Sequence, residues 1–410
     1  MRILVVNSSS RKIAGIEDYL TNVLPALQRS GYKLAFAHEV DTPQARERIP
    51  LPEGTPSWDV SVLGMRRTLD GIKAWHPDLI YAHGLLDTEF EAGFLKIAPA
   101  VYFTHNYYGT CISGLKTFKF PVVRPCSRRF GPACLLHYLP RRCGGRNPFT
   151  MWKLYRRESR RLKNLSKYRA IVTHSRHMRD EYIRNGLPEA RVHSFAYEVA
   201  APQHHPVPGK SAEALARSGK AAGKGCWNLL FVGRMELLKG GALLLGAMPA
   251  VARQLGRRIR LVLAGDGPER KAWEKKASKL QAEHPSLEFE FTGWVDRERL
   301  DLIYAETDLL VVPSLWPEPF GRIGPEAGLR GVPCAAFQVG GVTDWLMSGV
   351  NGYLASGDPP TAAGLAGAIG NCLKDPNIYR ELCAGAVTVA SQFNLDHHLG
   401  GLYGVFDQVK

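Results

Sequence analysis

The first 200 residues alternate short apolar runs with longer segments that repeat their apolar residues at helical spacing. An apolar run of roughly four to eight residues, bounded by polar loops, is typical of a strand buried on both faces of a parallel sheet. The alternation of such strands with helices predicts a doubly wound parallel α/β unit over residues 1–202. Its strands are predicted at 3–6, 34–37, 79–82, 101–104 and 170–173, and its first helix at 16–30.

A second unit with the same alternation begins at Trp227. Residues 203–226 contain Lys, Ala, Gly and Ser without a sustained apolar period, which predicts an exposed, flexible linker before it. A chain of 410 residues is too long for one core, so two units agree with its length. The strands of the second unit are predicted at 227–232, 259–264, 287–292, 308–312 and 334–337.

The charge of the chain is concentrated in one segment. Residues 116–169 contain 16 lysines and arginines and one acid, Glu158, so they carry +15, the formal net charge of the whole chain. This segment overlaps a loop-like insertion at about 106–150, rich in Cys, Pro, Gly and Arg, and a basic helix at about 149–167. Such a patch suits an anionic membrane surface or an acidic glycan, and nucleic acid less well. A solvated basic face without a partner is the alternative.

Four of the eight cysteines lie in or beside this basic segment: Cys111, Cys126, Cys134 and Cys143. Their spacing is wide and irregular, and it contains no C-x2-C pair. These four thiols, or three of them with His137, have the number of ligands that a structural zinc requires. Reduced thiols that hold a long loop in place are the alternative, because disulfides are rare in the cytosol.

No apolar run in the sequence reaches the length of a membrane span. The first residues form an apolar strand at once and resemble neither a charged leader nor a cleavage site. We therefore expect a cytoplasmic protein. The basic patch predicts peripheral binding to the inner face of the membrane.

The most specific chemistry lies in a motif with two glutamates, Glu318 and Glu326, separated by seven residues. A predicted strand leads into the motif, and the run after Glu326 predicts a helix. Glu318 is therefore expected in a loop at the carboxyl end of a strand, where open α/β sheets bind ligands. The two carboxylates can accept hydrogen bonds from sugar hydroxyls. The N–H groups of Phe320, Gly321 and Arg322 can bind an anion or further hydroxyls.

Another motif follows the first strand of the second unit. Gly233 and Arg234 come directly after this strand, and Lys239 and Gly240 precede the next helix. Glycine lets the backbone turn close to a ligand, and an Arg and a Lys at this position can hold a diphosphate. Two solvated surface cations are the alternative interpretation.

Together these motifs resemble the E-x7-E and G-R…K-G elements of the retaining glycosyltransferases of family 4 (glycosyltransferase group 1). The resemblance covers nearly the whole chain. It implies the GT-B fold, an α/β fold with two Rossmann-like, doubly wound parallel-sheet domains facing a cleft. Residues 1–202 would form the acceptor domain and 227–394 the donor domain, with the helix at 395–410 returning to the first domain. Further matches are Pro319, Gly331, Pro333, Gly340 and Gly341, whereas Arg322 replaces a small or apolar residue.

The resemblance also implies a reaction. A sugar would move, with retention, from a nucleoside diphosphate sugar to a glycan or lipid-linked acceptor, in cell-surface polysaccharide or glycolipid synthesis. Arg234 and Lys239 would neutralise the departing diphosphate. Glu318 would bind the sugar hydroxyls near the anomeric carbon, and Glu326 the ribose hydroxyls. Since no Asp-x-Asp motif stands at a donor loop, catalysis is expected to be metal-independent.

Weaker matches complete the predicted site. Gly265 after the second strand of the donor domain, and Trp294 with Val295 after the third, stand where the family contacts the nucleotide. In the first domain, Gly15 matches a glycine loop that faces the donor phosphates and the acceptor. His105 matches a histidine that contacts the donor sugar, although an asparagine follows it where the family usually has aspartate.

Two other functions remain open at this point. A GT-B epimerase or hydrolase that cleaves the nucleotide sugar would share the fold and part of the site, but it would release free sugar without an acceptor. A non-catalytic membrane- or nucleic-acid-binding protein on the same scaffold would have a broken donor site. The presence of Glu318, Glu326, Arg234 and Lys239 argues against that function.

Overall fold

The structure is a computed structural model that describes residues 1–12, 15–41, 47–196, 199 and 225–410. The chain divides into two compact units. The predicted linker at 203–226 lies outside the described residues except at its end, where Cys226 already belongs to a strand. The first unit comprises Met1–Lys116, Ser127–Glu198 and Leu395–Lys410, and the second comprises Thr117–Cys126 and Val199–Asn394.

A parallel sheet of seven strands forms the core of the first unit, and its central strands are buried because they consist almost entirely of apolar residues. In chain order the first strands are β1 (Arg2–Ser9), β2 (Lys33–Val40), β3 (Ser57–Asp59), β4 (Leu79–His83), β5 (Ala100–Phe103), β6 (Thr117–Phe118), β7 (Arg124–Pro125), β8 (Ala170–Thr173) and β9 (Val192–Ser194). The order in the sheet is β3-β2-β1-β4-β5-β8-β9. The sequence did not predict the edge strands β3 and β9, whose three residues each carry only one large apolar side chain.

The insertion in the first half of the chain is more ordered than the loop that its composition predicts. It contains an antiparallel hairpin of β6 and β7 and one short helix, and the predicted basic helix follows it. The longer helix begins at Pro148, where Asn147 accepts hydrogen bonds from the N–H groups of Phe149 and Thr150. In chain order, the α-helices described up to Arg184 are α1 (Gly15–Arg29), α2 (Val60–Leu63), α3 (Met65–Trp75), α4 (Thr88–Phe94), α5 (Ala133–Tyr138), α6 (Pro148–Leu165) and α7 (Arg176–Arg184).

Another parallel sheet, of six strands, forms the core of the second unit. Its strands are β10 (Cys226–Val232), β11 (Arg258–Ala264), β12 (Leu287–Gly293), β13 (Leu309–Val312), β14 (Cys334–Phe337) and β15 (Gly352–Ala355), in the order β12-β11-β10-β13-β14-β15. The chain therefore adds strands on one side of β10 and then on the other, so a topological switch point lies between β10 and β13. The helices are α8 (Gly241–Leu255), α9 (Arg270–Glu283), α10 (Arg297–Glu306), α11 (Ile323–Gly328), α12 (Ala362–Leu373) and α13 (Pro376–Ala390).

The last helix, α14 (Leu395–Val409), packs on the first unit. It buries Leu402 and Phe406, and the ring of Phe406 lies 5.3 Å from that of Tyr81. Its His398 Nε2 lies 2.8 Å from the hydroxyl of Tyr19 on α1. Among the helices described, none has the length and apolarity that crossing a membrane would require.

Candidate active site

An ion pair joins the loops that follow β10 and β13. A single 3-10 turn, Leu237–Lys239, follows β10, and Lys239 Nζ lies 2.6 Å from Glu318 Oε1 in the loop after β13. The two strands are neighbours in the sheet, and the chain leaves them toward opposite sides of it. The pair therefore lies at the carboxyl-end switch point, the place where open α/β sheets bind their ligands.

Three donors hold the carboxylate of Glu318 in place. Besides Lys239, the hydroxyl of Ser314 donates to Oε1 at 2.6 Å and the indole N–H of Trp316 donates to it at 2.9 Å. Glu318 is only 6% exposed. Among the described residues no hydrogen bond reaches its second oxygen, Oε2, which is thus available to a ligand hydroxyl. A buried carboxylate held by three donors is a pre-organised acceptor.

Two glycines let the backbone close around this ion pair. Gly240 has φ 71°, and a Cβ there would lie 1.8 Å from the carbonyl oxygen of Pro313. Gly340 has φ 53°, and a Cβ there would lie 2.4 Å from the carbonyl oxygen of Glu318. The same carbonyl accepts a hydrogen bond from Gly341 N at 2.7 Å. Any side chain at Gly240 or Gly340 would push the loops apart.

Backbone hydrogen bonds also join the loops at the carboxyl ends of β10, β11 and β12. Gly233 N donates to Ala264 O at 3.0 Å, and Gly265 N donates to Gly293 O at 2.8 Å. These bonds connect the carboxyl ends of the three strands. Arg234 follows Gly233, and its side chain is 71% exposed, with Nε 3.9 Å from Glu236 Oε2. This exposed guanidinium is free to reach an anion at the same sheet edge as Lys239.

Glu326 lies inside α11, in its first turn, as the sequence indicates. Its Oε1 is 3.8 Å from Arg322, the residue that departs from the family pattern, and both side chains are less than a fifth exposed. Arg330 donates to the carbonyl of Glu326 at 2.7 Å and holds the helix end. The carboxylate that the sequence assigns to ribose hydroxyls therefore has a cationic neighbour.

The side chain of Phe320 is structural. It is 2% exposed and its ring lies 5.3 Å from that of Phe393, while its carbonyl accepts a hydrogen bond from Trp345 Nε1 at 2.6 Å. The contacts that the sequence predicts for Phe320 and Gly321 are those of their backbone N–H groups, and the buried ring of Phe320 is compatible with them. Trp294, by contrast, is 71% exposed, and Val295 beside it is half-buried, so packing does not explain the tryptophan.

In the first unit, both ring nitrogens of His105 are hydrogen-bonded to other histidines. Its Nε2 lies 3.0 Å from His83 Nδ1, and its Nδ1 lies 3.1 Å from His174 Nε2. Desolvation, with a smaller contribution from His398, lowers the pKa of His105 to about 3. The expected direct contact of His105 with a donor sugar would require one of these two bonds to break.

The histidine chain continues away from His105. Burial lowers the pKa of His83 well below its ordinary value, and the Nε2 atom of His83 is buried without a hydrogen-bond partner among the described residues. Since each neutral imidazole has one N–H and one lone pair, the tautomers of the three rings are coupled. The position of the proton on His105 therefore sets which nitrogen of His83 carries a proton.

Gly15 is the first residue of α1, and a Cβ there would meet no atom within 4 Å. The described surroundings therefore do not require glycine at this position. The remainder of the predicted glycine loop, at 13–14, lies outside the described residues.

The described residues contain no group of three or more His, Cys, Asp or Glu side chains placed to hold a metal ion. The structure therefore does not assemble the zinc site for which Cys111, Cys126, Cys134 and Cys143 are candidates. Within the described ranges none of the four takes part in a disulfide, and Cys111 and Cys143 are buried. Cys111 Sγ accepts a hydrogen bond from the N–H of Lys116 at 3.3 Å, which fits a thiol that holds the insertion in place.

Part of the basic segment is buried rather than exposed. Lys116 Nζ lies 2.6 Å from Glu181, and both side chains are 2% exposed. Arg161 is 1% exposed and donates to the carbonyls of Leu85 and Leu86 at 2.6 and 3.3 Å. Lys116 and Arg161, which the composition would assign to a surface patch, therefore make buried contacts that stabilise the first unit.

Ser314, Trp316, His83 and His174 orient the candidate residues, and they are not among the site residues that the sequence predicts. Ser314, Trp316 and Glu318 stand at alternate positions in the loop after β13, and the first two donate to the carboxylate of the third. His83 ends β4, while His105 and His174 follow β5 and β8, the next two strands in sheet order. Histidines at the same end of three adjacent strands should meet, but the sequence shows only that each histidine ends or follows a predicted strand, not that the three strands are adjacent.

Two family models match the chain, and the gap between their matched ranges contains the boundary at Glu198 and Val199 between the two units. Residues 13–195 match the model described as Glycosyltransferase Family 4, and residues 216–386 match the model described as Glycosyl transferases group 1. Together these matches cover most of the chain.

Curated relatives match over part of the chain. A D-inositol 3-phosphate glycosyltransferase of Acidothermus cellulolyticus is 34% identical over 204 residues, which cover 48% of this chain and 44% of the relative. A 2-deoxystreptamine glucosyltransferase of Streptomyces kanamyceticus is 32% identical over 42% of this chain and 43% of the relative. The matches thus span less than half the length of these relatives.

Solved structures match over the whole chain. HepE of Anabaena, in complex with UDP, has a TM-score of 0.68 at 18% identity, with 100% of both chains covered. Sucrose-phosphate synthase of Thermosynechococcus elongatus has a TM-score of 0.67 at 19% identity, again with 100% of both chains covered. At this identity, the comparisons establish a shared fold.

Proposed function

This chain belongs to the glycosyltransferases of group 1 and family 4, and from that membership we propose that it transfers a sugar from a nucleoside diphosphate sugar to a glycan or lipid-linked acceptor. Its two parallel-sheet, Rossmann-like units have the GT-B fold that the sequence predicts. The observation that carries the proposal is the ion pair of Lys239 and Glu318 at the switch point of the second sheet. It brings a cation for phosphate and a carboxylate for sugar hydroxyls to one place.

Arg234 and Lys239 bind the diphosphate in this proposal. Arg234 supports the role by its exposure, and Lys239 by its position at the carboxyl end of β10. As the bond to the anomeric carbon breaks, negative charge grows on the diphosphate. Two cations at this sheet edge, the anchored Lys239 and the exposed Arg234, stabilise that charge, and losing one such contact typically costs about 3 kcal/mol. The backbone of Gly233 and Gly265 lets the phosphates approach the sheet edge.

Glu318 and Glu326 recognise hydroxyl groups of the donor. Glu318 Oε2 accepts from the sugar hydroxyls near the anomeric carbon, while Oε1 stays anchored by Ser314 and Trp316. Glu326 accepts from the ribose hydroxyls once Arg322 moves aside. Trp294 and Val295 contact the base, for which the exposed indole is suited. The roles of Gly15 and His105 stay predictions of the family resemblance.

Transfer proceeds with retention and without a catalytic metal in this proposal. If the leaving diphosphate and the attacking hydroxyl share one face of the sugar, no protein nucleophile is needed. The diphosphate accepts the proton of the acceptor hydroxyl as the new bond forms. Support for metal independence is the lack of an Asp-x-Asp motif in the sequence, together with two cations that can neutralise the leaving group.

The acceptor belongs to cell-surface polysaccharide or glycolipid synthesis, and the enzyme works in the cytoplasm at the inner face of the membrane. Support comes from the net charge of +15 confined to residues 116–169, because the cytoplasmic leaflet carries a negative surface potential. The structural neighbours include a lipopolysaccharide outer core galactosyltransferase, WaaB, and WaaG of lipopolysaccharide biosynthesis. They share the fold at 13% identity.

The experiment that tests this function has two steps. A thermal-shift screen with UDP-, GDP-, ADP- and TDP-sugars identifies the donor, because a ligand of the native state raises its apparent stability. NMR of the product in EDTA, with the donor found and a panel of lipid-linked and free glycans, then gives the anomeric configuration. We expect a retained configuration and full activity in EDTA. Free sugar in equal yield with and without acceptor would instead identify an epimerase or hydrolase.

A further inference from the structure

One face of α6 is exposed along its whole length. Phe149, Trp152, Lys153, Arg156, Arg160 and Lys163 are all exposed and recur every three or four residues, so they share one face of the helix. The opposite face contains Glu158, Arg161 and Leu165, which are buried. The only acid of the basic segment therefore points inward, and the exposed face is entirely apolar or basic.

Apolar side chains are concentrated at the first turns of this face. Phe149 is 85% exposed and Trp152 is 53% exposed. The neighbouring helix α5 packs against α6 and adds Leu136, which is 77% exposed. Three large exposed apolar residues on two adjoining helices are unusual for a surface that faces only water. Aromatic residues of this kind prefer the boundary between headgroups and acyl chains.

The cations of this face are largely unneutralised. Within the described part of the chain, the side chains of Lys153, Arg156 and Lys163 form no ion pair. Arg160 lies 3.3 Å from Glu89, and both side chains are more than half exposed, so water weakens that pair. The row of cations matches the negative charge of lipid headgroups, and the apolar residues at the start of the helix match the apolar layer just beneath the headgroups.

The buried face fixes the orientation of α6 relative to the first sheet. Arg161 donates to the carbonyl of Leu85, in the loop after β4, at 2.6 Å. Glu158 accepts from Gly109 N, in the segment after β5, at 2.7 Å, and the amide of Asn164 donates to Thr88 O at 2.9 Å. A ligand held by the exposed face is therefore held at a set distance from the loops at the carboxyl edge of that sheet.

We propose that this face forms a membrane-docking surface, defined by Phe149, Trp152 and Leu136 as inserting residues and by Lys153, Arg156 and Lys163 as headgroup contacts. The partner is an anionic lipid bilayer. The three apolar side chains enter the boundary of the acyl chains, and the cations lie along the headgroups. The idea that the bilayer presents the acceptor rests on the proposed function. The docking itself does not require catalysis.

Sedimentation with vesicles of phosphatidylcholine, with and without phosphatidylglycerol, tests the docking surface. A basic variant carries Lys153→Ser, Arg156→Ser and Lys163→Ser. An apolar variant carries Leu136→Ser, Phe149→Ser and Trp152→Ser. The control variant carries Lys271→Ser, Lys275→Ser and Lys279→Ser, which removes the same charge from an exposed face of α9 in the second unit. Arg161 is left intact because it is buried.

We expect the parent and the control to bind phosphatidylglycerol vesicles alike. The basic variant should bind about 100-fold more weakly at low salt, and the apolar variant about tenfold more weakly or worse at any salt. Brominated lipids should quench the fluorescence of the parent. Trp152→Phe, which should still bind, should lose most of that quenching. All variants should keep the far-UV circular dichroism and the donor affinity of the parent.

Three results would overturn the proposal. An apolar variant that binds like the parent, with no quenching, would mean electrostatic attraction without insertion. A parent that prefers a soluble acidic polysaccharide to phosphatidylglycerol vesicles would assign the surface to a glycan. Equal weakening of the control and the basic variant would mean that only total charge matters. Docking without transferase activity would leave this proposal standing and would contradict the proposed function.

Discussion

Lys239 Nζ and Glu318 Oε1 lie 2.6 Å apart, so the cation proposed for the donor phosphate and the carboxylate proposed for the donor sugar are ion-paired with each other. Glu318 keeps two further donors, Ser314 and Trp316, on the same oxygen. The carboxylate therefore stays oriented if Lys239 turns toward a phosphate. The pair holds both groups in place, and a donor that binds Lys239 has to replace only one of the three contacts of Glu318.

Lys239→Ala should lower kcat for sugar transfer by about 100-fold or more, because the leaving diphosphate loses a cation worth about 3 kcal/mol. Lys271→Ala, an exposed lysine of α9, is the matched control and should leave the rate unchanged. Steady-state kinetics with the donor found by thermal shift measures both. A Lys239→Ala enzyme with the parent kcat would mean that the diphosphate lies elsewhere.

Glu326 and Arg322 supply a test of the ribose contact. Glu326→Ala should weaken nucleotide binding about tenfold. Arg322→Ala should strengthen it by a few-fold, since the competing ion pair at 3.8 Å is lost and partly exposed pairs are worth about 1 kcal/mol or less. Calorimetric titration with the nucleoside diphosphate measures both changes. If Glu326→Ala leaves the affinity unchanged, the ribose hydroxyls bind elsewhere.

The stability of the first unit should fall in mild acid. Burial lowers the pKa of His398 to about 4, below its ordinary 6.5. Between these values the unfolded chain binds a proton that the folded chain excludes, so the free energy of unfolding decreases as the pH falls from about 6.5 toward 4. The loss reaches about 3 kcal/mol for this one group.

Thermal melts from pH 7.5 to pH 4.5 measure this effect. The Tm of His398→Gln should depend less steeply on pH than that of the parent, even if it is lower throughout. His397→Gln, at the exposed neighbouring position on α14, removes only the small contribution of His397 to the lowered pKa of His398 and should flatten the slope much less than His398→Gln does. Parallel curves for all three proteins would show that another group governs the acid transition.

Arg161→Ser should destabilise the protein by about 3–5 kcal/mol, because the carbonyls of Leu85 and Leu86 and the buried Glu91, 3.9 Å away, lose their cation. Arg156→Ser removes the same charge from the exposed face of α6 and should change the stability by less than about 0.5 kcal/mol. Urea denaturation measures both. Similar values for the two variants would contradict the division of α6 into a buried and an exposed face.

The sequence predicted the strands of both sheets closely where apolar runs were uninterrupted, and it identified α14 to within one residue. It predicted the loop position of Glu318 and the helical position of Glu326 because glycine and proline bound those elements. It missed β3 and β9, since a three-residue edge strand with one large apolar side chain has too little pattern to detect. It also missed the edge strand β15, because Asn351 and Gly352 at its start indicate a turn.

The hydrogen-bond and ion-pair partners of side chains were harder to predict than the helices and strands. Nothing in the local sequence of Arg161 distinguishes it from Arg160, and only packing against the loop after β4 shows that one is buried and the other exposed. The sequence predicts a donor-sugar contact for His105, and it does not predict the bonds of His105 to His83 and His174, which come from distant parts of the chain. Contacts of this kind depend on the order of strands in the sheet, which composition and periodicity do not specify.

The packing of α14 on the first unit has a consequence for synthesis on the ribosome. Tyr19 and His398 are 379 residues apart, yet their side chains are in contact. At translation rates of roughly 5–20 residues per second, about 20–75 seconds separate the appearance of the two residues. During that time the rings of Tyr81 and Phe103 lack the cover that α14 provides. The first unit must therefore wait until α14 has been synthesised before its core is complete, and until then it has an open apolar face that chaperones can recognise.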